Sequence, residues 1–286
     1  MKHARHAAVL LLIAGIALAG CSTTYSVGSA PHAAKSPTTT SPGPAQTTTS
    51  PSSSQASANL APGTWCSSAR TGMGKTRDGR FDLYNDAWSN AAFRGPQMIC
   101  GNSASHWLVV STQPAGNTGV LTYPCVQRNY NGAKGYPLST FTRMTSSYAE
   151  NMHAVSGTDA NATYDIWVNG LHKEVMFWVD NHGPPAEQKV AGSRVGTTTF
   201  SGATWILNYR KATPGRRAYI AFVRQGSATS GTIDLLAGLK YLERRGYLAA
   251  SDVVWQVNFG WEIASTAGVP ETFAVSHYSL NYAISR

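Results

Sequence analysis

The chain has 286 residues, with 23 Lys and Arg against 14 Asp and Glu, so its formal net charge is +9. The basic residues are scattered and form no dense run, which argues against nucleic acid as a partner. All eight Trp and all fourteen acidic residues lie within residues 62–286, a length that suits one all-β domain better than two.

The N-terminus is basic and continues into an apolar run over residues 7–20. This order is typical of a secretory signal, and the run is too short to span a bilayer comfortably, since a spanning helix needs about 20 apolar residues. It ends in Leu18-Ala-Gly-Cys21, which resembles a bacterial lipobox. We therefore predict a lipoprotein signal peptide over 1–21 with Cys21 as the lipidated residue. The alternative is an ordinary signal peptide in which this cysteine is incidental.

Residues 22–61 consist almost entirely of Ser, Thr, Pro, Ala and Gln. Such a segment cannot bury enough apolar surface to offset the entropy of ordering it, so we predict a disordered linker. The folded domain then covers 62–286. Together these features predict an exported protein on the outer face of the cell membrane, or an extracellular one if it is released. The lipid would be its only contact with the membrane.

Three cysteines remain if the first is lipidated, and an exported protein can form disulfides. We predict that Cys66 pairs with Cys100 and that Cys125 is a buried free thiol. The spacings do not match a zinc site, so no metal is expected.

Short β-rich runs dominate the folded part, and Gly, Pro, Asn and Ser separate them. The runs cover 107–111, 164–168, 174–179, 204–209, 219–223, 253–259 and 272–284. Several strands at such spacing indicate an all-β sandwich or barrel.

Asn169-Gly170 lies between two of these runs, and Asn-Gly is a strong hairpin signal. A two-residue turn would place Asp165 directly opposite Glu174, and the strand period would add Met176 and Trp178 to the same face. Opposed carboxylates repel each other in an ordinary sheet. An acidic and aromatic face therefore predicts a sugar-binding surface; the alternative is an exposed edge with two solvated acids.

One helix is predicted over 232–245, because leucines at 235, 236, 239 and 242 recur at helical spacing. Asp234 in the first turn and basic residues in the last suit the helix dipole. Gly246 follows as a stop. A single helix in a β protein is expected to pack against a sheet.

A second carboxylate is needed to cleave a glycosidic bond, because a retaining mechanism uses a nucleophile and a proton donor about 5–5.5 Å apart. Glu262 follows an apolar β run and adjoins Gly and Trp, which suits a site that raises the pKa of a carboxyl group. Glu271 is the alternative, but it follows Pro270 near a turn, where we expect a solvated side chain.

At these residues the chain resembles endoglucanases of glycoside hydrolase family 12, also called the cellulase H family. The resemblance runs from about residue 65 to the C-terminus. Four segments occur in the family's order: Asn161-Ala-Thr-Tyr-Asp165, Glu174-Val-Met-Phe-Trp178, the helix region from Phe222 to Tyr247, and Gln256-Val-Asn-Phe-Gly-Trp-Glu262. A fifth, Asn85-Asp-Ala-Trp88, resembles a motif that holds a stacking Trp.

The resemblance implies a β-jelly roll sandwich of two antiparallel sheets with one packed helix and no cofactor. It implies Glu174 as nucleophile, Glu262 as general acid and then base, and Asp165 as the carboxyl group that supports the nucleophile. It assigns five positions to the substrate cleft: Asn85, Trp88, Asn161, Met176 and Trp178.

The implied activity is that of a retaining endo-β-1,4-glucanase, acting as a monomer on cellulose, mixed-linkage glucan or xyloglucan. The chain departs from the family at Asp86 and Ser89, in the short 165–174 hairpin and at Ala264-Ser-Thr266. These departures leave open a weak or inactive glycan-binding protein of the same fold. A tethered enzyme could also act on a glycan of the cell's own envelope.

Overall fold

The computed structural model of the protein describes residues 64–89 and 94–285. The predicted signal peptide, the linker and Cys21 lie outside these residues, so those predictions remain predictions. In the described part, no helix combines the length and the apolar composition needed to cross a membrane.

The described chain is built mainly from β-strands. They are β1 Trp65–Ser67, β2 Met73–Lys75, β3 Asp82–Tyr84, β4 Gln97–Ser103, β5 His106–Ser111, β6 Cys125–Asn129, β7 Tyr136–Pro137, β8 Phe141–Met152, β9 Thr158–Val168, β10 Lys173–His182, β11 Ser193–Phe200, β12 Ala203–Arg210, β13 Ala218–Arg224, β14 Ser230–Asp234, β15 Val253–Thr266 and β16 Glu271–Ile284. The helices are α1 Ala186–Lys189 and α2 Leu235–Arg244, with 3-10 turns at Asn131–Ala133 and Leu138–Thr140.

The strands form two sheets that enclose one main core. The smaller sheet has the order β1-β4-β5-β16-β8-β14, and the larger has the order β11-β12-β13-β10-β9-β15-β6-β3-β2, with β7 paired to β15. Among the described strands, β10 and β13 pair in parallel and the other pairs are antiparallel. The predicted sandwich of antiparallel sheets is confirmed, with this one parallel pair as an addition.

Alternation along the central strands of the larger sheet separates the core from the opposite face. Tyr164 and Ile166 of β9 and Phe177 of β10 are buried in the main core. Met176 and Trp178 point the other way and form a separate apolar cluster. Every second residue therefore remains available to build a site on this outer face, which we call the cleft face.

Helix α2 packs its leucines into the main core, as predicted. It begins later than predicted, because residues 230–234 pair with β8 as a strand and Asp234 caps the helix by accepting a hydrogen bond from the Ala237 N–H. Gly246 follows with φ +76°, the left-handed conformation typical of a helix stop. At Gly238 a Cβ atom would lie 2.5 Å from the Phe177 ring, so this glycine allows close contact between helix and sheet.

The predicted disulfide is confirmed. Cys66 and Cys100 face each other across β1 and β4 and are joined by an S–S bond of 2.03 Å. Cys125 is a buried free thiol, and burial raises its pKa well above the usual value.

A carboxyl pair is enclosed between the sheets. Glu150 of β8 is buried beside Asp180 of β10 and accepts a hydrogen bond from the Trp261 indole at 3.2 Å. Burial and the nearby Asp180 charge raise the pKa of Glu150 to about 8. The folded protein therefore keeps up to about pH 8 a proton that the unfolded chain releases near pH 4.5. The contribution of this group lowers the free energy of unfolding as pH rises between these two values.

We expect Glu150→Gln to raise the free energy of unfolding at pH 9 and to change it little at pH 5. A rise in pKa from 4.5 to about 8 corresponds to roughly 5 kcal/mol once the carboxyl is ionised. Guanidinium unfolding at both pH values measures the difference, with the partly exposed Glu243→Gln as control. An equal effect of Glu150→Gln at both pH values would contradict the assignment.

Candidate active site

Glu174 lies near the start of β10, on the cleft face of the larger sheet. Its neighbour across the antiparallel pair is Trp167 of β9, and its neighbour across the parallel pair is Tyr219 of β13. Directly opposed residues share a face. The carboxylate is therefore flanked by an indole and a phenol.

The predicted pairing of Asp165 with Glu174 is wrong. The connection between β9 and β10 spans residues 169–172, and Asp165 pairs with Met176 instead. The Asn169 side chain explains the longer loop, because it donates to Asp252 at 2.8 Å and accepts from the Val253 N–H at 2.7 Å. With Asn169 held by these two hydrogen bonds, the pairing of β9 with β10 stops at Val168 and Lys173. The shift is by two residues, so Asp165 and Glu174 still share the cleft face.

Glu262 reaches the same face from β15, on the other side of β9. Its partner in register is Asn161, whose Nδ2 donates to Glu262 Oε2 at 2.9 Å. Burial raises the pKa of Glu262 to about 7, the Asn161 hydrogen bond opposes this rise, and the Glu174 charge adds to it. A carboxyl group in this state is protonated in half of the molecules near neutral pH and can donate a proton.

Glu174 has a different electrostatic setting. Burial raises its pKa, while the charges of Arg217 and Arg210 lower it. Arg217 Nη1 lies 3.8 Å from Glu174 Oε2, and its guanidinium lies 4.5 Å from the centre of the Trp167 ring. The pKa of Glu174 is raised overall, with two cations opposing the rise, whereas at Glu262 the Asn161 hydrogen bond and the Lys189 charge oppose it.

Asp165 is the most deeply enclosed carboxyl group of the site. Burial, followed by the charges of Glu174, Glu262 and Asp86, raises its pKa well above the usual range. A hydrogen bond from the Trp167 side chain opposes this rise. Burial and the neighbouring carboxylates thus favour the neutral form of Asp165 beside Glu174.

A small cavity of about 140 Å³ opens beside Glu262. Its lining residues come from four strands and two connecting segments: Thr118, Val120, Asp159, Asn161, Trp178, Lys189, Ala191, Tyr219, Glu262 and Ala264. Lys189 is held there by Asp159 at 2.7 Å and by the His182 carbonyl at 3.0 Å. A larger cavity of about 370 Å³ lies elsewhere, around Arg77 and Tyr278, and has Asp78 as its one carboxylate.

Trp88 is half exposed on the loop after β3, as expected of a residue that stacks on sugar. Arg70 holds this loop through the carbonyls of Ala87 and Trp88. Asn85 is fully buried and donates to the Ala69 carbonyl at 2.9 Å, so in this structure it supports the loop. Its contact with substrate remains a prediction.

The predicted residues Asp165, Glu174, Glu262, Asn161, Met176 and Trp178 lie together on β9, β10 and β15. Trp178 lines the small cavity, whereas Met176 is buried in the apolar cluster beside it. Glu271 is not part of this group. It was expected to be solvated, but it is buried on β16 and accepts hydrogen bonds from Thr158 and the Val155 N–H. The reason is that β16 begins at Glu271, where residues of the 155–158 turn donate to its carboxylate.

Sequence reasoning missed Tyr219, Lys189, Arg210 and Arg217. Residues 219–223 were predicted to form a strand, but nothing in the sequence indicates that this strand pairs in parallel with β10. Tyr219 is buried with its ring 5.2 Å from the Arg210 guanidinium. In the described part of the chain, no three His, Cys, Asp or Glu side chains converge as metal ligands.

Comparison with known proteins identifies the family to which this sequence is similar. The model of the family described as "Glycosyl hydrolase family 12" matches residues 79–282. The chain is 25% identical over 214 residues to the xyloglucan-specific endo-beta-1,4-glucanase A of Emericella nidulans, covering 71% of this chain and 86% of that protein. It is 26% identical over 216 residues to the enzyme of the same name from Aspergillus niger, with the same coverage.

The chain is also similar to solved structures of a xyloglucanase domain and an endoglucanase. The xyloglucanase domain of NopAA, a type three effector from Sinorhizobium fredii solved in complex with cellobiose, is 26% identical, with a TM-score of 0.62, 77% of this chain and 99% of that chain covered. Endoglucanase 3 of Trichoderma harzianum shares the fold at 21% identity, with a TM-score of 0.68 and coverage of 78% and 100%.

Proposed function

The chain belongs to glycosyl hydrolase family 12, and from this premise we propose that it is a retaining endo-β-1,4-glucanase with Glu174 as nucleophile and Glu262 as general acid and base. The observation that supports the proposal is the contrast between the two carboxyl groups. They share one face and burial raises the pKa of both, but two arginines oppose the rise at Glu174, whereas the pKa of Glu262 reaches about 7. Such a pair supplies the base and the acid of glycoside cleavage.

In the first step, Glu174 attacks the anomeric carbon while the proton of Glu262 passes to the leaving glycosidic oxygen. This forms a covalent glycosyl-enzyme and breaks the bond between sugars. In the second step, Glu262 takes a proton from water, which attacks the same carbon and releases Glu174. Two inversions retain the configuration. Asp165 supports the nucleophile from the same face, because the upward shift of its pKa favours its neutral form beside Glu174.

Asn161 holds Glu262 in place through its hydrogen bond. We assign substrate contacts to Trp88 and Trp178, since aromatic faces stack on the apolar faces of sugars, with Asn85 and Met176 supporting the same cleft. The substrate is a β-1,4-glucan. Xyloglucan is the first to test, because three of the similar proteins described above are named for it.

We also propose that the enzyme is an exported lipoprotein, tethered through Cys21 and the 22–61 segment. The Cys66–Cys100 disulfide supports this location, because disulfides persist in oxidising compartments outside the cytosol. The protein acts as a monomer and needs no metal or organic cofactor in this scheme.

The test is release of reducing ends from xyloglucan, barley β-glucan and hydroxyethylcellulose by the full chain. We expect cleavage of at least one glucan. Glycan binding by a well-folded protein without cleavage of any of them would instead support the inactive binding protein. The short 165–174 hairpin and the altered residues after Glu262 favour that alternative.

A further inference from the structure

An arginine lies in line with the nucleophile across the larger sheet. Arg210 of β12 pairs with Tyr219 of β13, which pairs with Glu174 of β10. Neighbouring strands are about 4.8 Å apart, so the Cα atoms of Arg210 and Glu174 are separated by about 10 Å across the sheet. Arg217 comes two residues before Tyr219 and contacts the carboxylate itself. Both arginines therefore belong to the cleft face.

Positive charge exceeds negative charge at this place. The pKa of Arg210 is lowered by burial first and then by the charge of Arg216; Arg217 also lowers it, and Glu174 opposes these effects. Arg210 Nε is buried without a hydrogen-bond partner among the described residues. The Glu174 carboxylate thus interacts with two guanidinium groups, those of Arg217 and Arg210. Arg210 contacts the Tyr219 ring and interacts with the charge of Glu174, but among the described residues it forms no ion pair with a carboxylate.

The position of the arginines along the cleft indicates what they could bind. Trp88 follows β3 near one end of the sheet order, and β13 and β12 lie beyond β10 at the other end. A glucan that crosses the sheet from Trp88 past Glu262 and Glu174 reaches Arg217 and Arg210 next. With Trp88 on the part of the glucan that becomes bound to Glu174, the two arginines lie on the side of the leaving group.

We propose that Arg210 and Arg217 form a carboxylate-binding subsite, and that the preferred substrate is a β-1,4-glucan with carboxylate substituents beyond the bond that is cut. This inference rests on the proposed function. The planar guanidinium group matches a carboxylate through two parallel hydrogen bonds, and neutral glucans offer no such partner. Arg217 has 41% of its side chain exposed, so a carboxylate of the glucan can reach its guanidinium group.

The test compares carboxymethylcellulose with hydroxyethylcellulose at equal degrees of substitution, because the two polymers differ mainly in charge. We expect the wild-type ratio of kcat/KM for the charged over the neutral polymer to exceed one. Arg210→Gln should lower this ratio roughly tenfold, the loss expected for one charge-assisted hydrogen bond. Arg217→Gln should lower it as well, even if it also slows cleavage of both polymers.

Arg143→Gln is the matched control, because this arginine is exposed on β8 of the other sheet. It should leave the ratio unchanged. Cleavage of hydroxyethylcellulose with a ratio that Arg210→Gln and Arg217→Gln do not alter would overturn the subsite and leave the proposed function intact. If neither polymer is cut, affinity electrophoresis of the folded protein decides. Stronger retention by the charged polymer that is lost in Arg210→Gln supports the subsite, and equal retention overturns it.

Discussion

Glu174→Ala is expected to abolish glucan hydrolysis, with a loss of at least about 10³-fold in kcat, because no covalent intermediate can form without the nucleophile. The side chain lies on the surface of the site, with 18% of its area exposed, so its removal should leave the fold intact. Circular dichroism checks the fold, and release of reducing ends measures the loss.

Added azide separates a nucleophile from a residue that merely supports the site. In Glu174→Ala, azide can occupy the space of the carboxylate and attack an aryl cellobioside directly, which gives an α-glycosyl azide by a single inversion. In Glu262→Ala, azide attacks the glycosyl-enzyme and gives a β-glycosyl azide after two inversions. NMR of the anomeric proton distinguishes the products. Exchange of these two outcomes would show that the roles of the carboxyl groups are reversed.

The pH dependence of kcat/KM tests the role of Glu262 as general acid. A general acid works only when it is protonated, so activity should fall as pH rises through the Glu262 pKa of about 7. Glu262→Gln should remove this alkaline limb and reduce activity by about 10²–10⁴-fold on substrates with poor leaving groups. Glu271→Gln is the matched control, since burial raises its pKa too but it lies on the other sheet. Loss of the alkaline limb in Glu271→Gln would contradict the assignment.

Phe177→Ala is expected to destabilise the fold by about 3–5 kcal/mol, the range for removal of a large buried aromatic side chain. The ring is fully buried on the core side of β10. It stacks on Phe222 at 4.9 Å and makes edge contacts with Phe200 and Trp205 at 6.1 Å. It also faces Gly238 of α2, so truncation leaves a cavity between helix and sheet.

Guanidinium unfolding monitored by tryptophan fluorescence measures this loss. Leu171→Ala is the control, because Leu171 is 57% exposed in the turn before the same strand and should change stability by less than about 0.5 kcal/mol. A change below about 1 kcal/mol for Phe177→Ala would mean that the helix and sheet close over the cavity. The core beneath the site would then be less rigid than its packing indicates.

The short-range features of this chain could be read from the sequence because they depend on neighbours along the chain. Alternation placed Glu174, Met176 and Trp178 on one face of a strand, and the spacing of leucines located α2. The segment after Glu174 and the one ending at Glu262 carried the family resemblance. The strand face and the helix follow from backbone periods of about 2 and 3.6 residues, whereas the resemblance rests on matching residues in the family's order.

Tertiary structure decided the remaining features. The register of β9 against β10 depends on the Asn169 tether to Asp252 and Val253, which are more than 80 residues away. The parallel pairing of β10 with β13 brings Tyr219, Arg210 and Arg217 beside Glu174, and no local pattern indicates which strands become neighbours. The carboxyl pKa values likewise arise from burial and from charges on distant segments. The sequence thus determined which carboxyl groups were candidates, and the assembly of the sheet determined the burial and the neighbouring charges that shift the pKa of each.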